Sequence, residues 1–137
     1  MGFAAPIIGY IMKQLLEQRI GSLRYDYEDI SWLETAVMAA SFIALSDVTF
    51  YTTHRFWHTP FMYKISHSTH HSCRPTTTYA AAAADAFEVL LTGFGSVFVP
   101  AMLLPMSARL FLVLDLFQHL WSIWLHNHDA HHVNAWM

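Results

Sequence analysis

With 137 residues, 55% of them hydrophobic and only 12% charged, the chain carries about half the charge fraction of a soluble domain, and its mean hydropathy of +0.31 fits a membrane protein. A net charge of -3, with ten histidines counted neutral, leaves no basic surface and excludes nucleic acid as a partner. Cys73 is the only cysteine, which excludes an internal disulfide and a cysteine-ligated zinc or iron–sulfur site, so any metal here binds through nitrogen.

The N-terminus has no basic region before an apolar run and does not read as a secretory signal. Gly2 suggests myristoylation, but Pro6 stands where serine or threonine is needed. Over residues 7–20, Ile8, Ile11, Met12, Leu15 and Leu16 share one helical face and Lys13, Gln14, Glu17 and Gln18 lie largely on the other. This amphipathic helix is too short and too charged to span a bilayer; it lies in the membrane interface or packs on a partner helix, and Gly21 ends it. Residues 1–30 are therefore an N-terminal amphipathic, interfacial segment and residues 31–137 a membrane-embedded domain.

Ser31-Trp32-Leu33-Glu34 has capping-box spacing, so a helix starts at Ser31 and runs to about His58. Its stretch 35–52 is ~27 Å long, close to the thickness of a bilayer's hydrocarbon core. Asp47 lies inside it, on one stripe with His54 and His58, which suits a carboxylate that orients a ligand histidine; the alternative is a solvated helix end. Thr59-Pro60 is an N-cap followed by proline at the first helical position, so a new helix begins there and carries His67, His70 and His71 until Pro75.

Asp85-Ala86-Phe87-Glu88 places acids at the start of a second apolar run, reaching about Leu104. Gly93-Phe94-Gly95 sits in an apolar span with no preceding strand, which favours helix packing over a dinucleotide loop. Pro105 turns the chain and Ser107 caps a third apolar helix, to about His126. The first span ends at His54, the second leaves from that side and the third returns to it, so all the histidines gather at one membrane face. Asp115 and His119 repeat the i, i+4 relation, and His126 shares their stripe. His128, His131 and His132 would point away from it on an unbroken helix, so a break is expected near Asn127. Trp121, Trp124, Phe94 and Phe98 either line a lipid channel or face lipid and core.

Eight of the ten histidines fall in three clusters: His54 and His58, His67-Ser68-Thr69-His70-His71, and His128-Asp129-Ala130-His131-His132. Positions i, i+3 and i+4 fall within roughly 100° on one helical face, so such imidazoles can converge on one point. Neutral imidazole is the commonest protein metal ligand, whereas crowding unpaired rings together for structure alone is costly.

The ordered motifs, Asp47-x6-His54-Arg55-x2-His58, Tyr63-Lys64-x2-His67-x2-His70-His71 and His128-Asp129-x-His131-His132, resemble the fatty acid hydroxylase superfamily of sterol desaturases, C-4 methylsterol oxidases and sphingolipid fatty acid hydroxylases. The resemblance implies an all-α integral membrane helical bundle with a histidine-rich di-metal site at one membrane face. It implies two non-haem iron ions, O2 as co-substrate, a lipid substrate that is hydroxylated or desaturated, and electrons from a cytochrome b5-type protein or a reductase. It implies the endoplasmic reticulum membrane, with the site facing the cytosol. Matched residue by residue, His54, His58, His67, His70, His71, His119, His128, His131 and His132 fall on the family's metal ligands, and His126 is a further candidate. Asp47 and Asp115 are candidates to orient them. Where many members carry His-Pro-x-Glu, this chain keeps only the acid, Glu88; its segment from His119 to His128 is also shorter than usual.

Imidazole ligation by itself also suits zinc, copper and nickel. No flavin or nucleotide motif is present, so electrons come from another protein. The alternative is a non-catalytic or truncated histidine-rich membrane metal-binding protein, which would hold exchangeable metal and consume no oxygen.

Overall fold

A computed structural model describes residues 4–18, 20–25, 30–72 and 77–126, and these are helical with no strand among them. Three stretches are long and apolar enough to cross a membrane: Trp32–Trp57, Ala86–Leu103 and Ala108–Leu125. Together they form an all-α membrane bundle. Large apolar side chains such as Val37, Ile43, Val48, Leu116 and Leu120 stay exposed along them, which suits lipid and not water as the surrounding medium.

Helix α1 (Ala4–Leu16) starts before residue 7, because Pro6 is tolerated in a first turn where no amide donor is needed. It also closes before residue 20. Gln18 has φ 56°, outside the helical range, and its side-chain amide donates to the Leu23 carbonyl at 2.9 Å. Gly21 follows at φ 78°, pressed so close to Met102 that an added Cβ would lie 3.1 Å from its Cα. The apolar face of α1 packs on the bundle: Leu15 is fully buried in one core with Leu23, Phe42, Phe98, Met106 and Phe111. At its centre Phe42 and Phe111 meet edge to face, 6.2 Å apart.

The first span, α2 (Trp32–Trp57), is capped as the sequence predicts, with the Glu34 amide donating to Ser31 Oγ at 3.1 Å. Three threonine hydroxyls on it are satisfied locally: Thr49, Thr52 and Thr53 donate to the carbonyls of Leu45, Val48 and Thr49 at 2.8–2.9 Å. A short helical segment follows, made of α3 (Pro60–Met62), a π turn over Tyr63–His67 and α4 (Ser68–His70) in one continuous run.

The second span joins α5 (Ala86–Gly93), a π turn over Phe94–Phe98 and α6 (Val99–Leu103). Asp85 caps α5 by accepting the Phe87 amide at 2.9 Å. The π turn precedes Pro100, which has no amide hydrogen to give, and local widening is one way a span accommodates proline. Gly95 lies against α2, where an added Cβ would meet Thr53 Cγ2 at 3.3 Å; Gly93 faces open space. Helix packing thus explains one of the two glycines. Ser107 caps the third span, α7 (Ala108–Leu125), accepting the Leu110 amide at 3.1 Å. Paired backbone bonds, Arg24 N–H to Met106 O and Ala108 N–H to Arg24 O, both 2.9 Å, tie the turn before α7 to the segment leading into α2. The capped starts of α2 and α7 are neighbours, so their ends both lie at the opposite pole.

Candidate metal centre

At that pole α2 presents His54 and His58 one turn apart, with the His58 amide closing the helix onto the His54 carbonyl at 3.2 Å. Thr59 occupies the N-cap position of α3, but its hydroxyl donates back to the Phe56 carbonyl at 2.8 Å instead of capping forward. The reversal still holds because Pro60 presents no amide hydrogen to satisfy. The π turn then widens the helix before the motif, a distortion frequent at functional sites. It lays the Tyr63 ring about equally far from His58, His67 and His71, at 6.0, 6.0 and 5.9 Å.

Four ring nitrogens converge. His58 Nε2 is 3.1 Å from His54 Nε2 and 3.2 Å from His67 Nε2, and His71 Nε2 is 3.0 Å from His67 Nε2. Ligand atoms of all four rings lie within 4.8 Å of one another. Metal–nitrogen bonds of 2.0–2.1 Å place neighbouring donors about 3.0 Å apart at a right angle and about 3.4 Å apart at the tetrahedral angle. The three spacings of 3.0–3.2 Å therefore suit donors to one cation.

The environment of His67 supports that fit. Its ring is fully buried and its Nδ1 lies 2.7 Å from Oε1 of Glu88, itself buried at the start of the second span. A neutral imidazole beside a carboxylate carries its proton on that side, so Nδ1–H donates and Nε2 keeps a lone pair. That lone pair faces two other ring nitrogens at once. It cannot accept two full hydrogen bonds, whereas a shared cation satisfies every ring. Burial, and then the neighbouring imidazoles led by His54, push the His67 pKa down to about 3, so the ring is neutral and able to ligate near pH 7. Burial and then His126 lower His70 as well.

A second pair adjoins the first group. His126, the C-cap of α7, donates Nδ1–H to the Ser122 carbonyl at 2.7 Å and turns Nε2 to within 3.1 Å of His70 Nε2. The His70 ring stacks 5.4 Å from that of His67, so the two groups are contiguous. The third span thus returns to the first cluster. His128, His131 and His132, like Asn127 where the break was expected, lie outside the described residues; α7 itself ends at Leu125.

The remaining sequence candidates stand apart. Asp47 is exposed on α2 and bonds to no histidine among the described residues; seven residues separate it from His54, about 10.5 Å along the axis, too far for a direct contact. The carboxylate at the cluster is instead Glu88, which arrives from another helix. His119, mostly exposed, gives its Nδ1–H to the Asp115 carbonyl at 2.8 Å, and Asp115 Oδ1 lies 3.5 Å away, beyond a good hydrogen bond. Of the four aromatics weighed as channel lining, Phe98 belongs to the core, while Phe94, Trp121 and Trp124 are exposed.

The chain is similar to known proteins. The chain is 29% identical over 116 residues to a Delta(7)-sterol 5(6)-desaturase of Candida glabrata, an alignment covering 79% of this chain and 30% of that protein. It is 30% identical over 131 residues to a Delta(7)-sterol 5(6)-desaturase of Gibberella zeae, covering 93% and 40%. It is 29% identical over 94 residues to methylsterol monooxygenase 2-2 of Arabidopsis thaliana, covering 69% and 35%. The chain thus spans between about three tenths and two fifths of the length of these relatives. No solved structure matches it significantly. The fatty acid hydroxylase family model matches residues 39–137, which take in all ten histidines and the three spans from about a quarter of the way along α2 onward, and the chain belongs to that family.

Proposed function

We propose that this chain is a membrane-bound oxidoreductase that uses two non-haem iron ions and O2 to hydroxylate or desaturate a lipid, sterol or fatty acyl, in lipid biosynthesis. The reading is carried by one observation, the meeting of His54, His58, His67 and His71 beside the His70–His126 pair where apolar spans end. Its support from relatives is that they include a sterol desaturase and a methylsterol monooxygenase. When bound, the iron pair supplies the O2-dependent removal of hydrogen from an unactivated C–H bond.

The protein residues do the rest. His54, His58, His67 and His71 hold one ion. His70 and His126, with His128, His131 and His132, would hold the other; His119, whose Nδ1–H is taken by the Asp115 carbonyl apart from both groups, would have to join them through Nε2. Burial keeps His67 neutral, so it coordinates without first losing a proton. Lipid reaches the site sideways, from the bilayer that bathes the exposed apolar faces of the spans. Electrons come from a cytochrome b5-type or reductase partner, and the site faces the cytosol from the endoplasmic reticulum membrane.

Purification from membranes with iron supplied, followed by counting metal per chain and assaying O2-dependent oxidation of sterols and fatty acyl lipids with a donor system, tests the reading. Two irons per chain and turnover are expected, and His70→Ala should lower both. Full metal retention in His70→Ala would show that the ligand assignment is wrong; metal without turnover would favour a histidine-rich metal-binding protein.

A further inference from the structure

We infer that Glu88 is a positioning residue of the metal centre, its carboxylate holding the tautomer and ring plane of His67 so that the Nε2 lone pair points at the shared cation. The inference rests on the metal reading above and adds to it a residue that is not a ligand.

Glu88 and His67 are 21 positions apart on different helices, yet Oε1 and Nδ1 meet at 2.7 Å, in the range of charge-assisted bonds, with both side chains buried. Burying a carboxylate is costly unless something compensates it. Glu88 Oε2 is buried with no hydrogen-bond partner among the described residues, so the His67 contact is the compensation that the structure offers. Helix capping does not explain the placement, because Asp85 already caps α5 by accepting the Phe87 amide.

The surroundings aim this carboxylate. One turn beyond Glu88, Thr92 Oγ1 accepts the indole N–H of the fully buried Trp57 at 3.1 Å, and the preceding Phe87 packs edge-on against the same indole at 5.6 Å. Since Trp57 is the last residue of α2, these contacts lock α5 to the helix that carries His54 and His58. The carboxylate is thereby fixed relative to three of the four converging rings. Partners of this kind orient ligand histidines and raise their basicity, and their loss typically weakens metal affinity 10–100-fold.

The test compares wild type, Glu88→Ala, Glu88→Gln and His67→Ala as full chains in detergent. The amide of Glu88→Gln can still accept the Nδ1–H bond, which separates positioning from simple loss of packing. Ferrous iron and zinc affinities are expected to fall about 10–100-fold in Glu88→Ala and to recover largely in Glu88→Gln. Side-chain 15N spectra of the metal-free protein, with the His67 signals assigned by their loss in His67→Ala, should show the Nδ1–H tautomer in wild type and Glu88→Gln. Glu88→Ala should lose it. Wild-type affinity or an unchanged His67 tautomer in Glu88→Ala would overturn the inference. A wild-type chain that takes up no metal would defeat the metal reading instead, and the tautomer alone would then decide the role of Glu88.

Discussion

His67 does two jobs with one ring: Nδ1 is committed to Glu88, and Nε2 is left for the centre. Its protonation has a sign that can be checked. Because the folded pKa is about 3 and the ordinary value 6.5, an unfolded chain binds the proton first as pH falls. Stability from the neutral ring is therefore whole above pH 6.5 and drains away between 6.5 and about 3. In the metal-free protein, His67 should contribute a slope of up to about 1.4 kcal/mol per pH unit across that window. Thermal unfolding of wild type and His67→Phe between pH 8 and 4 measures it; parallel curves for the two would refute it. The histidines were legible because their spacing is local. Glu88 was visible only as an acid at a helix start, since nothing in the run Asp85-Ala86-Phe87-Glu88 says which side chain caps the helix and which reaches a ring 21 residues back.

Helix starts were legible for the same reason that Glu88's role was not. Ser31, Asp85 and Ser107 each bond an amide two or three residues on, an interaction written within four letters of sequence. The π turns at Tyr63–His67 and Phe94–Phe98 carry no such signature, because they answer to packing and to the proline ahead. Nor could spacing rank His126 over His119: His119 bonds inward along its own helix, whereas His126 stands at the helix end, where the ring turns across to His70. At this scale Gly95 is the decisive contact between spans. Gly95→Val should push the π turn off Thr53, lowering stability by about 1–3 kcal/mol and weakening metal binding through α5. Gly93→Ala, in open space, should be neutral or stabilising. Melting temperatures in detergent compare them, and equal tolerance of both changes would refute the close approach.

For the whole molecule, the alternation of spans predicted from sequence is the one observed, with the capped starts of α2 and α7 at one pole and the described histidines toward the other. In a Cys73→Ser background, single cysteines at Trp32 or Leu103 should react with a membrane-impermeant reagent from one side of sealed vesicles, and one at Lys64 from the other. Labelling of all three from the same side would rule out this arrangement.

The 26 residues of α2 measure about 39 Å against a hydrocarbon core of ~30 Å, so an untilted α2 must leave that core at one end or both, and its C-terminal end is the one that carries the imidazoles toward the headgroups. Trp121 and Trp124, stacked near the end of α7, are the residue type that favours that same layer. A catalyst lodged there meets a lipid at its polar end. On the lipid-oxidising reading, the carbons within its reach are those a few bonds from the anchoring hydroxyl or carbonyl, while the far tail lies too deep in the bilayer to be touched.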